Sequence, residues 1–131
     1  MTSAVPEGSE VSPRRYLADT SAAAAAIADF SRALEAVGPV ATRARLSEVA
    51  PTLQEPLERT AAIAQRLEDQ RLEDQRLEDQ RRRAAAALPP VVAAMRLTAD
   101  AAADGDPRRA VAAAADFAAA VEELRGLPEL P

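Results

Sequence analysis

Apolar positions in the first third of the chain recur at alternating spacings of four and three residues, the periodicity of a helix with one buried face. Ser12 is a suitable N-cap with Pro13 at the first helical position, and Gly38 followed by Pro39 is a stop signal. The sequence therefore predicts a first helix between these signals. Its buried stripe comprises Tyr16, Thr20, Ala23, Ile27, Phe30, Leu34 and Val37.

A second helical segment is interrupted by a proline. Residues 40–50 again have helical spacing, but Pro51 disfavours the helical conformation of the residue before it. We therefore expect a kink or a short break at this point. Thr52 and Glu55 then have the spacing of a capping box, which predicts that a new helix begins after the break.

This new helix is predicted to be long for so small a protein. Its apolar positions keep a helical stripe over residues 55–87, and the run ends at Leu88 because Pro89 and Pro90 follow. At 1.5 Å rise per residue, such a helix extends about 50 Å. The sequence therefore predicts an elongated fold with one long, coiled-coil-like helix.

Two further helices are predicted in the last third of the chain. One covers residues 90–103 and closes at Asp104 and Gly105, and the next begins with Asp106 as N-cap and Pro107 at the first helical position. Gly126 ends it. Its buried face comprises Val111, Ala114, Phe117, Val121 and Leu124.

Three perfect copies of the pentapeptide RLEDQ occupy residues 66–80, and Arg81, Arg82 and Arg83 follow them. Five residues on a helix produce a net rotation of about 140°, so the three leucines of the repeat point in three different directions. Oppositely charged residues three apart stabilise a helix locally. The pattern predicts a solvated, self-supporting helical spacer that projects past its neighbours.

Two other interpretations of the repeat stay open. The first is a docking or oligomerisation segment whose length changes with the number of copies. The second is nucleic-acid binding through the arginines, which is less favoured because acids flank each arginine of the repeat and no aromatic residue is available for stacking.

Composition narrows the function classes sharply. The 131 residues include 34 alanines and no Cys, His, Trp or Lys. These absences exclude disulfide scaffolds, thiol nucleophiles, histidine bases, Cys/His zinc sites and Schiff-base lysines. The net charge of −5 opposes binding to nucleic acid or to an anionic membrane surface.

The remaining acidic residues do not form a recognisable site. Asp100, Asp104 and Asp106 are the densest acidic group outside the repeat, but they lack the ligand spacing of an EF-hand, and capping already explains Asp106. No glycine-rich phosphate loop is present. We therefore expect no enzyme activity, no catalytic or cofactor-binding residues, no metal site and no cofactor.

No segment alternates with period two, so the fold class is all-α without a sheet. The predicted architecture is an elongated helical bundle of three to five helices. Residues 1–11 are a disordered N-terminal arm, residues 12–126 form a single helical domain with the repeat in its long helix, and residues 127–131 are a frayed C-terminus.

The chain has few large apolar residues, so its core is thin, and thin cores often need a partner. The sequence therefore favours a non-enzymatic interaction or scaffold protein that binds a protein partner or itself, not nucleic acid. The candidate interaction residues are Ile27, Phe30, Leu34, Val37, Phe117, Val121 and Leu124. The alternative is an exported or envelope-tethered helical domain that binds a small apolar or lipid ligand between its helices.

The expected location is cytoplasmic. The first dozen residues lack the apolar stretch of a signal peptide, and the run from Ala22 to Ile27 is too short to span a bilayer. The absence of cysteine fits either a reducing or an oxidising compartment, so an exported or lipoprotein-derived chain stays open.

Overall fold

A computed structural model describes residues 9–126, and it confirms the all-α class. Four helices account for most of these residues. Two segments of two residues each also pair as a short parallel ladder. The elements are β1 (Ser9–Glu10), α1 (Pro13–Glu35), α2 (Arg43–Asp69), β2 (Gln70–Arg71), α3 (Gln75–Ala103) and α4 (Pro107–Arg125).

The helices form a bundle in which each helix packs against the next one along the chain. Short connections join them, so neighbouring helices run antiparallel. The bundle closes where α4 returns to α1, since the rings of Phe30 and Phe117 lie 5.0 Å apart at an angle of 55°. Tilted aromatic pairs at this distance are favourable, and this pair links the first and last helices.

The predicted caps of α1 and α4 are confirmed. Ser12 Oγ accepts a hydrogen bond from the Arg15 backbone N–H at 3.1 Å, and an Asp106 carboxylate oxygen accepts one from the Arg109 N–H at 3.1 Å. The stop at Gly105 is also confirmed. This glycine has a φ of 66°, a left-handed conformation that side chains disfavour, and it lets the chain reverse between α3 and α4.

Of the kink or short break expected at Pro51, the break is wrong, because α2 is continuous through Pro51 and Pro56. Its N-cap is Thr42, whereas the Thr52 hydroxyl donates to the Val49 carbonyl at 2.6 Å inside the helix. The residues buried on α2 keep their helical phase across both prolines. Burial of this face offsets the hydrogen bonds that the prolines remove. The buried large apolar side chains are Leu46, Val49, Leu53, Leu57, Ile63 and Leu67.

The prediction of a single long helix over residues 55–87 is also wrong. The chain leaves the helical conformation inside the repeat, at residues 70–74, and α3 then continues through Pro89 and Pro90. The prolines are exposed, while Leu88 and Val91 beside them are buried in the core. The segment predicted as a separate helix over residues 90–103 is therefore the second half of α3.

The three identical pentapeptides have three different conformations. The first copy ends α2, the second forms most of the connecting loop, and the third lies in the first turns of α3. Leu67 and Leu72 are both buried, although they would point about 140° apart in a continuous helix, because the chain leaves the helical conformation between them. The repeat is thus part of the packed bundle and not a projecting spacer.

The chain enters the bundle earlier than Ser12. Ser9 and Glu10 pair with Gln70 and Arg71, and the Val11 N–H donates to the Arg71 carbonyl at 2.9 Å. This pairing involves the last residues of the predicted N-terminal arm. Residues 1–8 and 127–131, where the rest of the arm and the frayed C-terminus are predicted, lie outside the described residues.

The buried face of α4 differs from the predicted one at its start. Val111 is 59% exposed, and Ala110 and Ala113 are buried in its place. Phe117 fixes the orientation of this helix through its contact with Phe30. Val111 precedes Phe117 by six residues and lies about 120° away around the helix, whereas a residue seven positions before Phe117 is nearly in line with it.

Candidate functional site

A cavity of about 530 Å³ lies between α1 and α4, and we call it the α1–α4 cavity. Buried side chains of α2 and α3 form its floor. Apolar side chains from all four helices line most of it, so it is a continuation of the core that opens to solvent. These apolar residues are Ala23, Ala24, Ile27, Ala28, Leu67, Ala84, Leu88, Val121 and Leu124.

Small side chains create this space. Ala84 on α3 is buried at its floor, and Ala24 and Ala28 on α1 are exposed at its mouth, where larger side chains would narrow the opening. Phe30 and Phe117 hold α1 and α4 together, and beyond them Ala120, Val121 and Leu124 are partly buried against the core. The two helices are therefore joined at the aromatic pair and separated beyond it.

Polar and charged residues complete the lining of the α1–α4 cavity. Arg32 pairs with Asp29, whose carboxylate also accepts a 2.6 Å hydrogen bond from Arg59. These arginines, Arg59 foremost, lower the pKa of Asp29. Arg125 pairs with Glu122 at 3.4 Å, and both side chains are largely exposed. The polar lining residues are Thr20, Ser21, Ser31, Arg32, Glu35 and Arg125.

The structure places the predicted interaction residues inside the molecule. Phe30 and Phe117 form the aromatic pair, and Ile27 and Val37 are buried. Leu34, Val121 and Leu124 are partly buried against the same core. The two stripes thus face each other, and they offer little free surface to a partner. Ile27, Val121 and Leu124 also line the α1–α4 cavity.

A second depression lies where α4 begins beside the α1–α2 connection. Val40 and Val111 line it together and are the most exposed large apolar residues among those described, at 69% and 59%. Pro39, Ala41 and Pro107 contribute further apolar surface. We call this surface the Val40–Val111 patch. The sequence does not reveal this patch, because Val111 fits the helical stripe of α4 and Val40 belongs to a connection.

A buried carboxylate holds the loop of the repeat. Glu78 is only 5% exposed, and it accepts hydrogen bonds from the Leu72 backbone N–H at 2.9 Å and from Arg81 at 2.9 and 2.6 Å. Arg82 adds another at 3.2 Å. The hydrogen bonds from Arg81 are the main cause that lowers the pKa of Glu78 to about 2. Arg81 also donates to the Leu67 carbonyl at 2.6 Å, which ties α3 to the end of α2.

The first turns of α1 join the same end of the bundle. The buried Asp19 accepts a 2.6 Å hydrogen bond from Gln70 and pairs with Arg66 at 3.4 Å. The Tyr16 hydroxyl donates to Gln80 at 3.5 Å, and burial raises the pKa of this tyrosine. These contacts tie the start of α1 to residues of the repeat.

The acidic group near α4 is accounted for by local contacts. Asp104 pairs with Arg109 at 2.9 Å, and Asp106 caps α4. Across residues 9–126 there is no group of three or more Asp or Glu side chains arranged to hold a metal ion. No helix in the same part of the chain has the length and apolar character that crossing a membrane requires.

Comparison with known proteins found no family model, no curated protein and no solved structure that matches this chain. Any functional proposal for the chain therefore depends on its own geometry.

Proposed function

We propose that this protein binds a small apolar ligand in the α1–α4 cavity. The observation that supports the proposal is the cavity itself, about 530 Å³ in volume and lined mainly by apolar side chains. Ligand sites in proteins typically measure 300–1,000 Å³ and are mostly apolar with a few polar groups. Spaces between the helices of a bundle are among the places where such sites occur.

The packing of the two predicted apolar stripes favours ligand binding in the cavity over association with a partner through those stripes. Phe30 and Phe117 already bury one another within the chain. Exposing them to a partner would require α1 and α4 to separate. A ligand in the cavity instead adds contacts between these two helices where they have few of their own.

We expect binding to be detected with N-phenyl-1-naphthylamine, a neutral probe that fluoresces in apolar surroundings. Ala24→Leu/Ala28→Leu should weaken its binding at least tenfold, because the added side chains obstruct the mouth of the cavity. Ala18→Leu/Ala25→Leu is the matched control, since both of its sites are exposed on α1 and outside the lining. No binding to the unaltered chain, or equal binding to both variants, would contradict the proposal.

The Val40–Val111 patch supports a second function, association of two copies of the chain. Exposed apolar surface bounded by polar residues is typical of interaction sites, and here Asp106 and Arg108 border it. Val40→Asp/Val111→Asp should shift the species seen by light scattering from dimer to monomer, because charge opposes burial of the patch. Leu97→Asp, at another exposed apolar site, should leave the mass unchanged. A monomeric parent chain at all concentrations rules this function out.

A further inference from the structure

The two ends of the α1–α4 cavity differ in charge. Because α1 and α4 run antiparallel and Phe30 meets Phe117, the eight residues from Phe117 to Arg125 extend about 12 Å towards the start of α1. Arg125 therefore lies at the end of the cavity that Thr20 and Ser21 line. We call this the Arg125 end.

The opposite end of the cavity is electrically balanced. Arg32 and Glu35 both line it, so their charges cancel. Arg32 is also held by Asp29. A charged group on a ligand would gain little net attraction there.

At the Arg125 end, the positive charge has no opposing charge within the lining. Its ion pair with Glu122 lies outside the lining, is long at 3.4 Å and joins two largely exposed side chains. Such surface pairs contribute little stability and exchange readily with other partners. The guanidinium can therefore turn to a group in the cavity, and the hydroxyl of Ser21 lies at the same end.

We propose that the ligand is a single-chain amphiphile with a carboxylate head group, which Arg125 binds while the alkyl chain lies along Ile27, Leu67 and Leu88. Arginine binds carboxylates with two parallel hydrogen bonds, which makes it well suited to this group. The cavity volume is in the range that encloses one drug-sized molecule, which is enough for one alkyl chain. This inference rests on the proposed function.

The test compares decanoate, decanol and decyltrimethylammonium as competitors that displace N-phenyl-1-naphthylamine from the full chain. Decanoate should bind at least tenfold more tightly than decanol, and the cationic compound should bind least. Arg125→Gln should reduce the advantage of decanoate to less than threefold without changing the affinity for decanol. Arg96→Gln, at an exposed site on α3 outside the cavity lining, removes the same charge and should have no effect.

The outcomes separate this inference from the proposed function. If the neutral probe and decanol bind but decanoate has no advantage, the carboxylate preference is wrong and the apolar site stands. The same conclusion follows if Arg125→Gln keeps the advantage, or if the cationic compound binds best. If neither the neutral probe nor any of the three compounds binds, both proposals fall.

Discussion

Replacing Glu78 with glutamine is expected to lower the free energy of unfolding by about 2–3 kcal/mol, whereas the same replacement at Glu68 or Glu73 should change it by less than about 0.5 kcal/mol. The three glutamates occupy the same position in identical pentapeptides. Glu68 and Glu73 are exposed, while Glu78 is buried and accepts hydrogen bonds from the Leu72 backbone and from Arg81. A neutral amide leaves the buried Arg81 without its counter-charge.

Urea unfolding followed by circular dichroism measures the difference, with Glu68→Gln and Glu73→Gln as matched controls. Equal stabilities for all three variants would show that the Glu78 contacts contribute nothing specific. Because the variants differ only in which copy is changed, composition and net charge are the same in each. Glu68→Gln controls for the change within a helix, and Glu73→Gln for the change within the loop.

The pH dependence gives a second measurement of the same contact. The pKa of Glu78 is lowered to about 2 from an ordinary value of 4.5, so the folded chain binds this proton less readily than the unfolded chain. The stabilisation is fully present above the ordinary pKa and is lost as the pH falls through about 2. The stability difference between the parent chain and Glu78→Gln should therefore shrink steadily from pH 5 to pH 2. A difference that stays constant over this interval would contradict the role of the ionised carboxylate.

Local signals explain which parts of the fold the sequence predicts well. The starts of α1 and α4 are confirmed because Ser12 with Pro13, and Asp106 with Pro107, satisfy backbone groups within a single turn. The reversal at Gly105 is likewise local, since it depends on the conformation of one residue. None of these features requires knowledge of the neighbouring helices.

Features that depend on packing between distant segments were not predictable in this way. The three copies of the repeat are identical, so no local signal distinguishes the copy that forms the loop from those that stay helical. The choice depends on long-range contacts, such as that of Gln70 with Asp19. Pro51, Pro89 and Pro90 are strong local stop signals, yet the helices pass through them because their buried faces stay in register with the core.

The candidate site was partly predictable from the sequence. Helical periodicity identified Ile27, Val121 and Leu124 as apolar stripe residues, and all three line the α1–α4 cavity. Sequence patterns do not show which stripes face each other, so the same residues were predicted as interaction residues for a partner or a second copy. The cavity depends on small buried residues such as Ala84 lying opposite a helix that contributes few large side chains.

The number of RLEDQ copies is expected to affect stability asymmetrically: removing one copy should cost about 3 kcal/mol or more, and adding one should cost about 1 kcal/mol or less. The three copies have three roles: the first ends α2, the second forms the loop, and the third begins α3. With residues 71–75 deleted, only two copies remain to fill them. If the last copy forms the loop, Arg83 takes the place of Glu78. Arginine cannot accept the hydrogen bond that the backbone N–H at the position of Leu72 donates to Glu78 in the parent chain. If the first copy forms the loop, Ala62 takes the place of the buried Leu67.

A fourth copy inserted after Gln75 leaves all three roles filled. The first copy still ends α2, the last still supplies the carboxylate that holds the loop, and Arg81 still follows it. The extra residues lengthen the connection. Lengthening a loop raises its closure entropy only slowly, by about 0.6 kcal/mol for each doubling. Urea unfolding of the three-copy, two-copy and four-copy chains tests the expectation directly. A two-copy chain as stable as the four-copy chain would show that the repeat is a spacer after all, because a spacer loses or gains a unit with equal ease.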